Sequence, residues 1–189
     1  MDKLSDNALM LQVKAGKTEK LSLLFERHYK PLFGYFYHLT QNRQNSEDLA
    51  QNTFYKILKN RSKFNGEGTF RAWMYTIARN NSFDFFKKNK NHHQSEELSY
   101  WEDKLPEGSD VVKQITETED KELLKIALTK MDKEKRELLI LSKFQGMKYK
   151  EIGLVLNCSE NTVKVKVYRA LEVLKKIYCQ LNINKDYDL

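Results

Sequence analysis

Residues 149–169, YKEIGLVLNCSENTVKVKVYR, decide how this chain is read. Ile152, Leu156, Val163 and Val167 are spaced to meet as a small apolar core between two short helices. Between them lies Asn157-Cys158-Ser159. Asparagine tolerates the left-handed backbone of a tight turn, and Ser159 can cap the next helix by accepting a backbone N–H bond. That second helix carries Asn161, Thr162, Lys164, Lys166, Tyr168 and Arg169, with no acid between Glu160 and Glu172. The pattern is that of a helix-turn-helix whose second helix suits the major groove of DNA. An ordinary helical hairpin with a solvated basic face is the alternative on this segment alone.

Charge distribution extends the argument. Residues 1–88 carry 15 basic and 8 acidic side chains, residues 89–120 carry 3 and 9, and residues 121–189 carry 15 and 9. Two basic blocks therefore flank an acidic one, within a chain of 189 residues and net charge +7. Basic blocks suit polyanionic partners. The two cysteines, Cys158 and Cys179, make no metal pattern with His28, His38, His92 or His93, so a structural role in a reducing compartment is expected. No apolar run approaches a membrane span, and the polar start MDKLSDNA does not read as a signal peptide. A soluble, cytoplasmic protein without membrane insertion is expected.

The fold class expected is all-α: two small helical domains joined by an acidic flexible linker, the C-terminal one a helix-turn-helix. Ser5 can cap a short first helix ending near Gly16, and a second runs from about Lys17 to Leu39, with Pro31 expected to kink or divide it. Ser46 is expected to cap a third helix with Leu49, Ala50, Thr53, Phe54, Ile57 and Leu58 as its apolar stripe. After a break at residues 62–68, Thr69 can cap a fourth helix to about Lys88, with Phe70, Trp73, Met74, Ile77 and Ala78 inward. Domain boundaries are expected at 1–90, a linker at 91–118, a second domain at 119–178 and a tail at 179–189, polar and expected to fray from Asn182. Leu98, Tyr100 and Trp101 are the linker's candidate anchors. Asp132 can cap the helix carrying Leu138, Leu139 and Leu141, with Gly146 at its end.

Aromatic and basic residues interleave from Lys63 to Lys88. Single-stranded nucleic acid needs this combination, because cations hold phosphates while flat rings stack on unpaired bases. Phe70, Trp73 and Phe83 read as core; the loop Asn60–Thr69 fits a binding role and a plain surface loop equally well. On the third helix Asp48, Gln51 and Tyr55 recur opposite the apolar stripe, either as a solvated face or as a docking face. There is no Gly-rich phosphate loop, no His-Glu metal motif and no nucleophile elbow, so no catalytic set, metal or cofactor is expected.

Three strings, SEDLAQNTFYKIL, FRAWMYTIARNNSFDFFKK and the helix-turn-helix preceded by KRELLILSKFQGMKYKEI, carry a family resemblance in their order and spacing. Over about residues 5–88 and 119–176 the chain resembles the extracytoplasmic-function sigma factors, non-enzymatic subunits that direct bacterial RNA polymerase to promoters. The resemblance implies that Asp48, Gln51 and Phe54 dock on the clamp coiled coil of the largest polymerase subunit, with the flap of the second largest as a further contact. It implies capture of the −10 strand by the loop residues Asn60, Arg61, Lys63, Phe64 and Asn65 and by Arg71, Trp73, Arg79 and Asn80 on the following helix. It implies −35 contacts from Thr162, Lys164, Val165, Lys166, Tyr168 and Arg169. The acidic linker matches a family segment that threads toward the RNA exit path, and an anti-sigma protein is a further partner of the kind this family meets.

Four departures from the family pattern bear on the C-terminal domain. Gly153 stands where alanine is usual and is expected to loosen its helix by roughly 1 kcal/mol. Asn157 replaces the turn glycine, and Lys148 a Ser or Thr cap. Val165-Lys166 replaces a frequent Ser-Arg pair, which alters the expected −35 preference, since valine can touch a thymine methyl but cannot hydrogen-bond. The competing functions are a free-standing helix-turn-helix regulator and a catalytic domain fused to a DNA reader. The aromatic-basic segment counts against the first, and the missing catalytic set against the second.

Overall fold

The computed structural model describes residues 4–89 and 111–187, and among the described residues there are eight α-helices and no strand. Helices α1 (Asp6–Lys14), α2 (Leu21–Thr40), α3 (Arg43–Lys59) and α4 (Phe70–Asn89) form an N-terminal unit, and α5 (Val111–Lys130), α6 (Lys133–Leu139), α7 (Tyr149–Leu156) and α8 (Glu160–Tyr187) a C-terminal one. Most of the expected acidic linker, with Leu98, Tyr100 and Trp101, lies outside the described residues. Its last part does not: α5 begins at Val111, within the stretch 91–118 expected to be linker.

Several local expectations hold for the reasons given. Ser5 Oγ accepts the Ala8 N–H at 3.2 Å, Thr69 Oγ1 the Ala72 N–H at 3.1 Å, and Asp132 Oδ1 the Lys135 N–H at 3.0 Å. Each satisfies a donor that the first turn of a helix leaves unpaired. The stripe Leu49, Ala50, Thr53, Phe54 and Ile57 is buried against α2 and α4.

Other expectations are corrected. Helix α3 starts at Arg43, capped by Asn42, whose Oδ1 accepts the Asn45 N–H at 2.9 Å. Ser46 is instead a fully buried first-turn residue whose hydroxyl donates to the Asn42 carbonyl at 2.6 Å. Pro31 does not divide α2, which runs through it without interruption. Phe83, expected in the core, is 49% exposed. The tail is not frayed from Asn182, because α8 continues to Tyr187. A π-helical turn at Ile140–Phe144, followed by Gly146 at φ +60°, extends α6 in a way no periodicity signalled.

Gly153 reverses its expected role. A Cβ there would lie 2.6 Å from the backbone carbonyl oxygen of Cys158, closer than such contacts are made. The glycine lets the turn fold back onto α7, so the residue that lowers helix propensity is the one that permits the tight helix-turn-helix.

The two units pack on each other, α7 against α4 and α6 against α2, and one apolar cluster runs through both. Their seam also carries polar contacts. The Tyr35 hydroxyl donates to Glu137 at 2.7 Å, Tyr75 to the Gln145 side chain at 2.8 Å, and Thr69 to Glu151 at 2.8 Å. Burial first, and then the Glu137 carboxylate, push the Tyr35 hydroxyl well above the ordinary phenol range, so it stays a proton donor.

Candidate nucleic-acid interface

Three surfaces hold the residues singled out in the sequence. On α3, Asp48, Gln51 and Tyr55 are exposed, Tyr55 by 64%, on the face opposite the buried stripe. Asp48 accepts a hydrogen bond from Gln44 at 3.2 Å, one turn earlier. Phe54 does not share that face: it is 5% exposed, with its ring 4.9 Å from Phe25. It supports the helix from beneath.

The second surface is the loop before α4 and the face of that helix. A 3-10 turn at Arg61–Lys63 leads into Gly66 at φ +81° and Gly68 at φ +75°, backbone values that favour glycine. Asn65 Oδ1 accepts the Glu67 N–H at 3.0 Å and closes a small turn between them. Lys63 and Asn65 are exposed, whereas Asn60 and Arg61 turn back to the carbonyls of Lys56 and Leu58. Phe64 is 1% exposed, its ring 5.2 Å from Trp73 and 6.4 Å from Phe70. It is a core residue beneath the loop, and the half-buried Trp73 shares that cluster. Helix α1 holds the loop, a role the sequence reading missed. Asn7 donates to the Gly68 carbonyl at 2.8 Å and accepts the Phe70 N–H at 2.6 Å, while Lys14 donates to the Phe64 carbonyl at 2.7 Å. The only signal for this was a short first helix to which no role had been assigned.

On α4 itself the cations are engaged. Arg71 donates to the Gln145 backbone carbonyl, and its guanidinium lies 5.9 Å from the centre of the buried Tyr75 ring. Arg79 pairs with Glu137 at 3.2 Å and stacks over the exposed Phe83 ring at 4.6 Å. Asn80 is exposed. The neighbouring Asn81 is buried and ties α4 to α3, donating to the Leu49 carbonyl at 3.0 Å. Glu137 and Gln145 were not singled out in the sequence, because nothing local to either marks a partner far away along the chain.

The third surface is α8. Val163, Val167 and Ala170 are buried at helical spacing, while Val155, rather than the half-buried Leu156, completes the contact from α7 beside Ile152. Asn157 sits at φ 52° and ψ 51°, and Ser159 Oγ accepts the Thr162 N–H at 3.1 Å. Lys148 supplies no side-chain cap; its N–H donates to Glu151 at 3.2 Å. With the stripe inward, Thr162, Lys164, Val165, Lys166, Tyr168 and Arg169 all face solvent, Tyr168 by 67%. Lys164, Lys166 and Arg169 have no hydrogen-bond or ion-pair partner among the described residues. Lys166 and Arg169 also rim a cavity of about 360 Å³ shared with Arg79 and Glu137.

A capped helix-turn-helix with a free basic face, joined to a helical unit with a second aromatic-basic face, defines a two-part DNA-binding protein of the transcription machinery. Family models agree: sigma-70 region 2 matches residues 24–92 and sigma-70 region 4 matches residues 121–174. The RNA polymerase sigma factor YlaC of Bacillus subtilis is 30% identical over 154 residues, covering 81% of this chain and 88% of that protein. The Haemophilus influenzae extracytoplasmic-function sigma-E factor is 24% identical, covering 92% and 95% respectively. The fold is similar to that of CnrH in complex with the cytosolic domain of CnrY (TM-score 0.68, 21% identity, 91% of this chain and 96% of that one). It is also similar to the sigma factor RpoE of Bartonella quintana in complex with the anti-sigma factor NepR (TM-score 0.65, 22% identity, 82% and 94%). The chain belongs to the extracytoplasmic-function group of RNA polymerase sigma factors, and its function is to direct RNA polymerase to promoters for transcription initiation.

Proposed function

We propose that the three surfaces divide the work of initiation. The exposed Asp48 and Gln51 on α3 dock the polymerase clamp, with Phe54 holding that helix in place. The loop around Lys63 and Asn65, with Arg71, Trp73, Arg79 and Asn80, captures the −10 strand. The free face of α8 reads the −35 element. The observation that carries this reading is the exposure of Lys164, Val165, Lys166, Tyr168 and Arg169 on one face of a capped recognition helix. A cation-rich face supplies phosphate attraction, and the side chains between the cations reach base edges.

The protein works in the cytoplasm without catalysis of its own; among the described residues no helix is long and apolar enough to cross a membrane. A sequestering partner similar to an anti-sigma factor is part of this reading, supported by a similar fold seen in a complex of that kind. Run-off transcription with purified bacterial core polymerase on a promoter library tests the whole: transcripts from a subset of promoters are expected only when the chain is added. Asp48→Arg is expected to weaken core binding in a pull-down while helicity is kept. Unchanged core affinity removes α3 from the docking role.

A further inference from the structure

A largely apolar groove of about 240 Å³ opens beside the C-terminal half of α4. Leu39 of α2 and the rings of Phe83 and Phe86 line it, and Phe83 is half exposed. Two exposed lysines border it, Lys87 and Lys133, the second with its ammonium 4.2 Å from the centre of the Phe86 ring. Arg136 lines it as well. That side chain is 8% exposed, makes no hydrogen bond or ion pair among the described residues, and keeps its Nε buried without a partner. Buried cations are normally paired, and a guanidinium cannot shed its proton to escape such a place. Burial pulls the Arg136 pKa down, and the Asp132 charge offsets only part of that. The nearest acid in the wall is already taken. One oxygen of Glu137 accepts the Tyr35 hydroxyl at 2.7 Å, and the other accepts Arg79 at 3.2 Å. Glu134, the other acid of the groove, is exposed and makes no bond to Arg136.

An apolar trough with an unanswered guanidinium in its wall complements a chain of methylenes that ends in a carboxylate. The methylenes gain by leaving water for the walls, and a carboxylate is the planar partner that a guanidinium lacks here. Small-molecule sites have this make-up, apolar surface with a few placed polar groups. A nucleic-acid phosphate could meet the charge, but it carries no apolar chain for Phe83 and Phe86. We infer that this groove binds a small amphipathic monoanion, a medium-chain carboxylic acid, with its tail along Phe83 and Phe86 and its carboxylate toward Arg136. The site uses none of the residues assigned above to polymerase or DNA, so it stands or falls apart from those assignments.

Equilibrium dialysis of the full natural chain against radiolabelled octanoate, below its micelle-forming concentration, tests this. Saturable binding of a single octanoate is expected, with amide NMR shifts confined to residues 82–87 and 133–137 and the neighbourhood of Leu39. Octanamide has nearly the same shape and no charge. It is expected to bind about tenfold or more weakly, the worth of a hydrogen bond to a charged group. Butyrate keeps the charge and loses four methylenes, and is expected to bind about a hundredfold more weakly. Arg136→Met is expected to erase the preference for octanoate over octanamide without loss of stability, because it removes an unpaired buried cation. Absence of saturable octanoate binding overturns the site. Equal binding of octanoate and octanamide by the natural chain also overturns it, and would make the groove a plain apolar seat for a partner protein's side chains. A preference that survives Arg136→Met, or shifts confined to other parts of the chain, places the acid elsewhere and overturns it too. The ligand comparison on the natural chain decides the matter even where Arg136→Met does not fold.

Discussion

Helices α4 and α8 carry similar chemistry in opposite circumstances. Each presents arginine with an aromatic ring nearby, Arg79 over Phe83 on one and Arg169 next to Tyr168 on the other. On α8 the cations face water with no partner among the described residues, whereas on α4 both arginines are already bound within the chain. An exposed cation gives a long-range, salt-sensitive attraction at little desolvation penalty. A paired, half-buried one must first give up its partner. The difference teaches that exposure, more than residue type, separates the two faces: the cations of α8 are open to solvent and those of α4 are held within the chain.

The sharpest way to break this contrast is to disable the loop that leads into α4 and see whether anything is lost. Changing Lys63, Asn65 and Glu67 together to serine removes exposed polar side chains of the loop while the buried Phe64 and the hydrogen bonds from Asn7 and Lys14 stay in place. Extruding a base costs a few kcal/mol, which a pocket has to offset. Open-complex formation, read by permanganate reactivity of unpaired thymines, is expected to be lost, with −35 duplex binding unchanged. Full reactivity would mean that strand capture lies elsewhere. The helix-turn-helix is broken differently, from within. Gly153→Ala drives a methyl against the Cys158 carbonyl, and overpacking of this kind typically destabilises by about 1–3 kcal/mol. Urea unfolding is expected to show that loss, together with weaker −35 binding. Gly153→Ala with unchanged stability would show that the turn yields easily.

A smaller effect sharpens the contrast inside α8. Base-edge contacts discriminate by about 1–3 kcal/mol each, while phosphate contacts position without discriminating. Arg169→Ala is therefore expected to lower activity unevenly across −35 variants, and Lys175→Ala, two turns on and also exposed, evenly or not at all. One common factor for both would make Arg169 a phosphate clamp.

What the sequence revealed follows the range of the forces involved. Asn157, Ser159, Asp132 and Thr69 act within a few residues, so their turns and caps were legible as soon as the residue types were read. The exposed face of α8 was legible too, because a buried stripe at Val163, Val167 and Ala170 fixes the other side. Ser46 misled because Asn42 is an equally good cap one turn earlier and supplies the bond. Gly153 misled because propensity is a helix-interior rule, and what decides here is a carbonyl from the next turn. Phe64 and Phe83 exchanged expected roles, one buried and one exposed, since a ring's position in an aromatic-rich segment depends on neighbours from other helices. The seam was out of reach altogether: Tyr35 and Glu137 are far apart in the chain, and no periodicity pairs them.

The smallest expected effect is a pH dependence of the seam, and its sign follows from His38. The ring lies on α2 against Phe144 of the π-helical turn, with centroids 4.3 Å apart. Burial first, and then the charge on Lys125, hold its pKa below the ordinary histidine value of 6.5. Arg136, a second cation, lines the same small cavity as His38, together with Tyr37 and Gln41. The folded, closed chain therefore prefers neutral imidazole, while an opened or unfolded one binds the proton more readily. Stability then rises with pH wherever the open form carries more protons. The contribution is fully present above pH 6.5 and is lost as pH falls from there toward the lowered value of the closed state. Asp6 does not enter this window. Burial raises its carboxyl, but hydrogen bonds from Arg27 and His28 outweigh that and keep it below 3.8. Between pH 7.5 and 5.5, cross-linking of a chain carrying Cys158→Ser, Cys179→Ser, Thr69→Cys and Glu151→Cys by a short bis-methanethiosulfonate, at a thiolate-corrected rate, is expected to slow as the seam loosens. His38→Asn is expected to flatten that dependence, because an amide does not titrate. A slope that survives His38→Asn would assign the pH response to another group and leave the closed seam indifferent to acid through His38.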